Sequence, residues 1–428
     1  DETFINSRTE GWEGFKKYLE TLDVDLLEKI CGVPRAQVRA AAIEYGSAGS
    51  AMEFHGLGVT EHWQATKAIT LISNIAMMTG NIGREGTGVN PLRGQNNVQG
   101  AADMGIQPHQ GAGYLSVTDP ASIALYNAYY GAEHPTVPGY RIPEMFTAAA
   151  RGDLKALWIM GEDILQTDPN TCHVKSSLQG LDLLVVQELF MTETARIADV
   201  VFPASSFLEK EGTFTNGERR IQKVQQVVKP LTGTKPDGQI VVDMMRRMGY
   251  QQEGYSADVM LKEIAGIVPF FKGVKWDELG NSGKQWPVRE DGTDTKILHT
   301  ESFKRGAGKF HSWDYDISPE LNENAERFPY ILTTGRLLEH YNSGTMTRRT
   351  PNSEIVTEDI LFVHPNDADA KGLVTGDFAR IFSARGITTM KVKVTDVVKP
   401  GVIYTTFHFP EAAINFLTSG IGDEFTLT

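Results

Sequence analysis

Thiols are scarce in this chain: Cys31 and Cys172 are the only cysteines among 428 residues. Neither has a second cysteine at short spacing, so neither announces a zinc or iron–sulfur site, and no residue is assigned as a metal ligand. Cys31 is expected to pack between the helix ending at Ile30 and the next turn. Cys172 adjoins His173, but adjacent side chains point apart and make a poor catalytic pair. His55 and His62 lack a clear third metal-binding companion and read as hydrogen-bonded structural histidines. Long apolar runs are missing too. Leu71-Ile-Ser-Asn-Ile-Ala-Met-Met78 is short and interrupted, and no segment reads as membrane-spanning. Basic charge is outnumbered, with 41 Lys and Arg against 54 Asp and Glu for a net charge of −13, which argues against a nucleic-acid partner. No GxGxxG fingerprint occurs, so NAD binding is not expected. The chain opens on Asp1 without an initiator methionine or a basic and apolar leader, so a fragment or processed product is expected, with a cytoplasmic setting.

The feature that stands out is polar. Gly88-Val-Asn-Pro-Leu-Arg-Gly-Gln-Asn-Asn-Val-Gln-Gly100 places donors where a core segment would be apolar. Glycines at 88, 94 and 100 permit close backbone approach, and Arg93, Gln95, Asn96, Asn97 and Gln99 suit a small anion. Arg93 is the sharp residue, because a guanidinium fork matches a carboxylate or phosphate better than a lysine does. A surface loop carrying one exposed arginine is the plainer alternative.

The chain is long enough for about two to four domains. Helical periodicity covers Trp12 to Leu22, Pro34 to Tyr45 and Ala65 to Thr79, and Ala51 to Leu57 reads as a short buried strand. Leu154 to Met160, Leu181 to Gln187 and Ala198 to Phe202 are apolar strands separated by helical pieces, which predicts a parallel α/β sheet. Ligands in such sheets sit beyond the carboxyl ends of strands, where Gly161, Glu162, Asp163, Gln187, Thr192 and Pro203 fall. Glu162 or Asp163 can accept bonds from a guanine edge, or can be turn acids capping the next helix. Val241 to Met248 is a short helix, 289–309 reads as surface, and Trp286 with Pro287 is assigned to packing. The last hundred residues carry strand candidates at 330–334, 360–363, 378–382, 388–394 and 402–406. These predict a compact β domain, a six-stranded barrel of the double-psi type. Within it, Gly335 to Thr345 is a second polar loop. Arg336 there can meet a phosphate, and His340, Asn342, Ser343 and Thr345 can bond heterocycle atoms; a plain turn after the 330–334 strand is equally open. His408 is a weaker candidate that can equally fill the barrel's edge.

The 88–100 segment closely resembles the NPxRGQNNVQG signature of molybdenum- or tungsten-dependent formate dehydrogenases, within the wider family that binds a bis-molybdopterin guanine dinucleotide. Ile159-Met-Gly-Glu-Asp-Ile-Leu-Gln-Thr-Asp-Pro-Asn170 and the stretch from Val185 to Arg220 also resemble that family. The resemblance implies that Arg93 orients formate beside the metal and that Gln95 touches the pterin. It assigns Gly161, Glu162, Asp163, Gln187 and Thr192 to one guanosine and its diphosphate, with Pro203, Asn216 and Arg219 nearby. It puts Arg336, His340, Asn342, Ser343 and Thr345 around the second pterin and pyrophosphate, and Asn415 on a pterin. The implied fold is Rossmann-like parallel α/β domains followed by the C-terminal double-psi barrel. Its divisions are 1–95, ending in the Arg93 loop; 96–235, binding the guanine dinucleotide; a linking region at 236–325; and the barrel at 326–428. The implied activity is formate oxidation to CO2, with electrons leaving through an iron–sulfur relay to an iron–sulfur or flavin subunit. The 4Fe-4S cluster and the Cys or Sec metal ligand belong to an N-terminal part that this chain lacks. Another molybdopterin oxidoreductase, nitrate reductase-like, or a non-catalytic cofactor-binding scaffold are the alternatives.

Overall fold

The computed structural model describes residues 1–252 and 254–427. One two-stranded sheet is a parallel pair, Met52–His55 with Gly88–Pro91, registered from Met52 against Gly88 to His55 against Pro91. The crossover carries helix Ala65–Met78, which buries Ala65, Asn74, Ala76 and Met77. It stops at Thr79 because Gly80 follows with a φ of +67°, a left-handed turn that glycine adopts without strain. Leu92 N–H then donates to the His55 carbonyl at 2.7 Å, extending the pairing by one residue. Arg93 is thereby delivered at the carboxyl end of the sheet.

The strand expected to be buried at 51–57 is shorter and barer than anticipated. Only His55 is buried in it, and Phe54 is 58% exposed. Helices Val24–Cys31 and Arg35–Ser47 likewise contribute no buried residue, so Cys31 is exposed rather than packed. Apolar spacing forms these helices, but among the described residues no layer covers them.

Three parallel strands, Ala156–Met160, Leu183–Glu188 and Val200–Pro203, lie side by side in chain order with Trp158, Val185 and Val200 in register. Phe146, Ile159, Val174, Leu178, Leu184 and Val186 form the core against helices Ile142–Arg151 and Thr171–Gln179. Each such side chain contributes about 1.5–3 kcal/mol on burial. The parallel α/β expectation therefore stands for this region. A hairpin follows, Gly212–Thr215 with Arg220–Val224, widened by Lys284–Gln285 and packed on Ile221, Val268, Phe271 and Val288.

Contrary to the C-terminal expectation, no double-psi barrel forms among the described residues. The five strands make an open sheet in the order Ile331–Gly335, Val402–Thr406, Ile360–Val363, Ile387–Val394, Phe378–Phe382. A barrel needs its two edge strands to pair with each other. Among the described residues Ile331–Gly335 pairs only with Val402–Thr406, and Phe378–Phe382 only with Ile387–Val394. One face, carrying Leu361, Val363, Met390, Val392 and Ile403, is covered by Ala368 of helix Pro365–Lys371 and by Ala412, Ile414 and Leu417. Alternating apolar residues report one covered face, which an open sheet satisfies as well as a closed one. Among the described residues no helix is long and apolar enough to cross a membrane.

Candidate functional site

Loops from three parts of the chain converge near Arg93. Its side chain is exposed, and Nε donates to Gln99 Oε1 at 3.0 Å. The hairpin turn approaches from one side, where a Cβ at Gly217 would stand 3.8 Å from the Arg93 side chain. The second polar loop approaches from the other, its Tyr341 hydroxyl donating to the Gly94 carbonyl at 3.2 Å. Further along, Gln166 Nε2 donates to the Ser343 carbonyl at 2.8 Å, and Asn415 Nδ2 to the Gln166 carbonyl at 2.8 Å. A cavity of about 150 Å³ opens at this junction, lined by Gln166, Thr171, Lys175, Glu193, Phe407 and Asn415 among others. The buried Oε1 of Gln166 has no hydrogen-bond partner.

The strand-end residues divide into two groups. Gly161, Glu162 and Pro203 are exposed. Gly161 turns out of the sheet with φ +66°, its N–H on the Gln187 carbonyl at 2.8 Å. Although Glu162 keeps accessible surface, the protein around it withdraws enough water to raise its carboxyl above the usual range. Asp168 is pushed up to about 7, first by burial and then by the charge of Glu162. No cation forms an ion pair with either among the described residues.

The other group is inward. Asp163 is buried and accepts from Thr194 N at 2.9 Å, Thr194 Oγ1 at 2.6 Å and Glu193 N at 3.3 Å. It caps helix Glu193–Arg196, a more distant helix than the one it was expected to cap. Thr192 caps the same helix through Ala195 N at 3.1 Å. Gln187 is fully buried, with Nε2 on Asp237 at 2.7 Å and Oε1 unpartnered.

In the hairpin turn, Asn216 Oδ1 accepts from Glu218 N at 3.1 Å and Arg220 N at 3.0 Å. Arg219, at φ +67°, donates to the carbonyls of Trp286, Thr295 and Lys296. Gln95 is exposed beside Arg93, and Arg336 is exposed with its guanidinium 5.7 Å from the Phe407 ring centroid. Ser343 and Thr345 share a hydroxyl bond of 3.1 Å.

Two histidines, His340 in the second loop and His408 just after strand Val402–Thr406, are internal. His340 meets Thr347 Oγ1 at 3.0 Å and the Val356 carbonyl at 2.9 Å. His408, with no exposed surface, is more than an edge filler. Its Nδ1 donates to the Asn342 carbonyl at 2.6 Å and its Nε2 accepts from Leu337 N–H at 3.0 Å, which assigns the neutral tautomer. Burial lowers its pKa, in keeping with that state. The imidazole thus pins two points of the loop, the Leu337 amide and the Asn342 carbonyl.

Sequence reasoning passed over Asp103, Tyr114 and Gln166. Asp103 lies four residues after Gln99 on helix Val98–Asp103, an i,i+4 pairing visible in the sequence. Gln166 lies within the Ile159–Asn170 motif.

Residues 20–247, more than half the chain, match the family described as molybdopterin oxidoreductase. The chain belongs to that family. Residues 330–428 of this molybdopterin oxidoreductase match the molydopterin dinucleotide binding domain, so a molybdopterin-binding region is present. It is 40% identical to the F420-dependent formate dehydrogenase subunit alpha of Methanocaldococcus jannaschii over 430 residues, covering 99% of this chain and 63% of that protein. It is 36% identical to formate dehydrogenase H of Escherichia coli, covering 98% of this chain and 60% of that protein. The chain therefore spans somewhat under two thirds of the length of these relatives. Acetylene hydratase from Pelobacter acetylenicus superposes with a TM-score of 0.72 at 18% identity, covering 98% of this chain and 64% of that one, a likeness of fold alone.

Proposed function

We propose that this molybdopterin oxidoreductase chain is the later part of the catalytic subunit of a formate dehydrogenase, in which Arg93 grips formate. The observation that carries the reading is the state of Arg93. It is exposed at the carboxyl end of a parallel strand, anchored among the described residues at Nε alone, with loops from the hairpin and the C-terminal unit beside it. Its terminal nitrogens are available to a carboxylate as a bidentate fork, and orientation plus fixed positive charge is what such a fork supplies. The reaction is HCOO− → CO2 + H+ + 2 e−. The similarity to formate dehydrogenases over nearly the whole chain supports the same substrate.

The residues present fit a guanine-bearing pterin. Glu162 and Asp168 are carboxyls short of positive partners, suited to the N–H donors of a guanine edge, and the orphaned Gln166 Oε1 faces the same need. In this reading Gly161, Glu162, Gln166, Gln187 and Asn415 serve one stretch of the bis-molybdopterin guanine dinucleotide, adjoining the next where Gln166 donates to Ser343. Arg336, Asn342, Ser343 and Thr345 serve that next stretch, with Gln95, Asn216 and Arg219 nearer Arg93. Asp163, Thr192, His340 and His408 act by shaping those loops. The chemistry that cofactor would supply when bound, with its Mo or W, is that of the two-electron acceptor. The iron–sulfur cluster, the metal's side-chain ligand and the contacts to an electron-accepting subunit fall to the portion of the relatives' length outside this chain. The division into 1–95, 96–235, 236–325 and 326–428 is retained, the last as an open-sheet unit.

The test is Arg93→Lys in the full-length, cofactor-loaded enzyme. Charge is kept and the fork lost, so kcat/KM for formate should fall by about ten- to a thousandfold with metal content unchanged. Near-normal formate turnover would overturn the assignment.

A further inference from the structure

Among the described residues Arg93 is anchored by one bond, and the residue that makes it is prevented from turning around. Gln99 is buried on helix Val98–Asp103, and Asp103 has no exposed surface. Gln99 Nε2 donates to Asp103 Oδ1 at 2.8 Å and to the Tyr114 hydroxyl at 2.9 Å. Its Oε1 accepts from Arg93 Nε at 3.0 Å. An amide has a donor end and an acceptor end, whereas an ionised carboxylate can only accept. The carboxylate holds Nε2 inward, and Oε1 is the end left for Arg93.

The carboxylate is itself held in place. Tyr114 O–H donates to Oδ1 at 2.7 Å, and Trp286 Nε1–H donates to Oδ2 at 2.8 Å. Trp286 is fixed in turn by Phe270, with ring centroids 4.6 Å apart, and by the Arg219 guanidinium 5.3 Å from its ring centroid. Burial pushes the Asp103 carboxyl above the usual range, while the donors from Tyr114, Gln99 and Trp286 and the charge of Arg93 oppose protonation.

We propose that Asp103 and Gln99 are positioning residues for the substrate: Asp103 sets the direction of the Gln99 amide, and Gln99 sets the plane of the Arg93 guanidinium. The inference rests on the reading of Arg93 as the formate-binding residue. A bidentate grip requires both terminal nitrogens in the plane of the carboxylate. An exposed arginine without its Nε anchor samples many rotamers, and binding must then re-order it. The relay removes that cost before formate arrives. It also explains why a fully buried acid sits behind the Gly88–Gly100 segment, bonded to Gln99 and out of reach of solvent.

The experiment uses the full-length, cofactor-loaded enzyme and follows formate KM, kcat, calorimetric formate affinity, metal and GMP content, and thermal midpoint. Asp103→Asn replaces a pure acceptor by a group that can also donate, so the Gln99 amide can reverse and present N–H to Arg93. Formate KM should rise about tenfold, with kcat changing less and cofactor content unchanged. Adding Gln99→Glu to Asp103→Asn exchanges donor and acceptor across the pair and preserves net charge. Position 103 can then donate to position 99, which again offers an oxygen to Arg93, and KM should return to within about threefold of the parent. Gln99→Leu removes the anchor without altering the acid and should raise KM as Asp103→Asn does; it decides the matter if Asp103→Asn does not fold. Unchanged formate KM and affinity in folded, loaded Gln99→Leu protein would overturn the relay. So would a loss of thermal midpoint in Asp103→Asn without the KM recovery in the exchanged pair. Arg93→Lys, run alongside, separates the two questions: normal turnover there defeats the formate reading itself, whereas loss there with unchanged Gln99→Leu defeats only the relay.

Discussion

Replacing Asp163 by alanine should damage the loops before it damages any ligand contact. The carboxylate satisfies two peptide N–H groups, those of Glu193 and Thr194, and the Thr194 hydroxyl. Thr194 has no exposed surface, so water cannot replace the lost partner cheaply. An orphaned buried donor costs about 1–3 kcal/mol, and loss of a helix cap about 0.5–2 kcal/mol. The terms overlap because the same N–H groups enter both, which puts the local destabilisation at about 2–4 kcal/mol. Asp163→Asn keeps one acceptor for Thr194 and should cost roughly 1 kcal/mol. Hydrogen exchange by mass spectrometry reads this directly. Amides at 193–196 that exchange through local opening should do so about 30- to 1,000-fold faster in the alanine variant, and the asparagine variant should fall between. GMP released per mole of full-length protein is measured alongside. Unchanged exchange at 193–196 with a sharp loss of GMP would refute the capping argument and return Asp163 to the role of guanine acceptor.

Asp168 has a folded pKa raised from 3.8 to about 7, so folding is penalised once the carboxyl must ionise: the stability it permits is complete below about pH 4 and lost as pH rises toward 7. Asp168→Asn should therefore raise the thermal midpoint at pH 8 by the equivalent of at most about 4 kcal/mol and leave it unchanged at pH 4; parallel midpoint–pH curves would count against the pair with Glu162. His408→Ala removes the acceptor of Leu337 N–H and the donor to Asn342, and should open 336–345 to limited proteolysis at a local cost of about 1–3 kcal/mol; an unchanged cleavage pattern would contradict it. Arg336→Ala touches an exposed side chain and should change stability by less than about 0.5 kcal/mol while lowering GMP content of the full-length protein; full GMP occupancy would remove Arg336 from the cofactor's contacts.

The readings that succeeded from sequence were those whose causes lie close together along the chain. The three parallel strands show as apolar runs ended by Gly161, Glu188 and Pro203. The first starts later than expected because Leu154 N–H still bonds to the Ala148 carbonyl of the preceding helix. Arg93 was conspicuous because donors cluster between glycines with no apolar face to serve. What escaped depends on distant partners. Asp163 looked like a turn acid or a ligand acceptor, and its true partner is 31 residues away. Asp103 acquires its meaning from Trp286, which is 183 residues away. The barrel failed for a related reason: alternation tells which face of each strand is covered, but strand order is decided by non-local pairing that no local pattern records.

The position of Val402–Thr406 in the C-terminal sheet carries a consequence for the timing of synthesis. Of the sheet's five strands this one is made last, yet among the described residues it alone pairs with Ile331–Gly335. Gly335 is registered against Thr406, and the His408 that pins Leu337 and Asn342 comes two residues later. On a ribosome adding about 5–20 residues per second, the interval between residues 335 and 406 is roughly 4–14 s. Throughout that time the Arg336 loop has neither its strand partner nor its imidazole clamp. The loop can take its shape only once nearly all of this chain has left the ribosome, so any large ligand held by it must be loaded after translation of this region rather than during it.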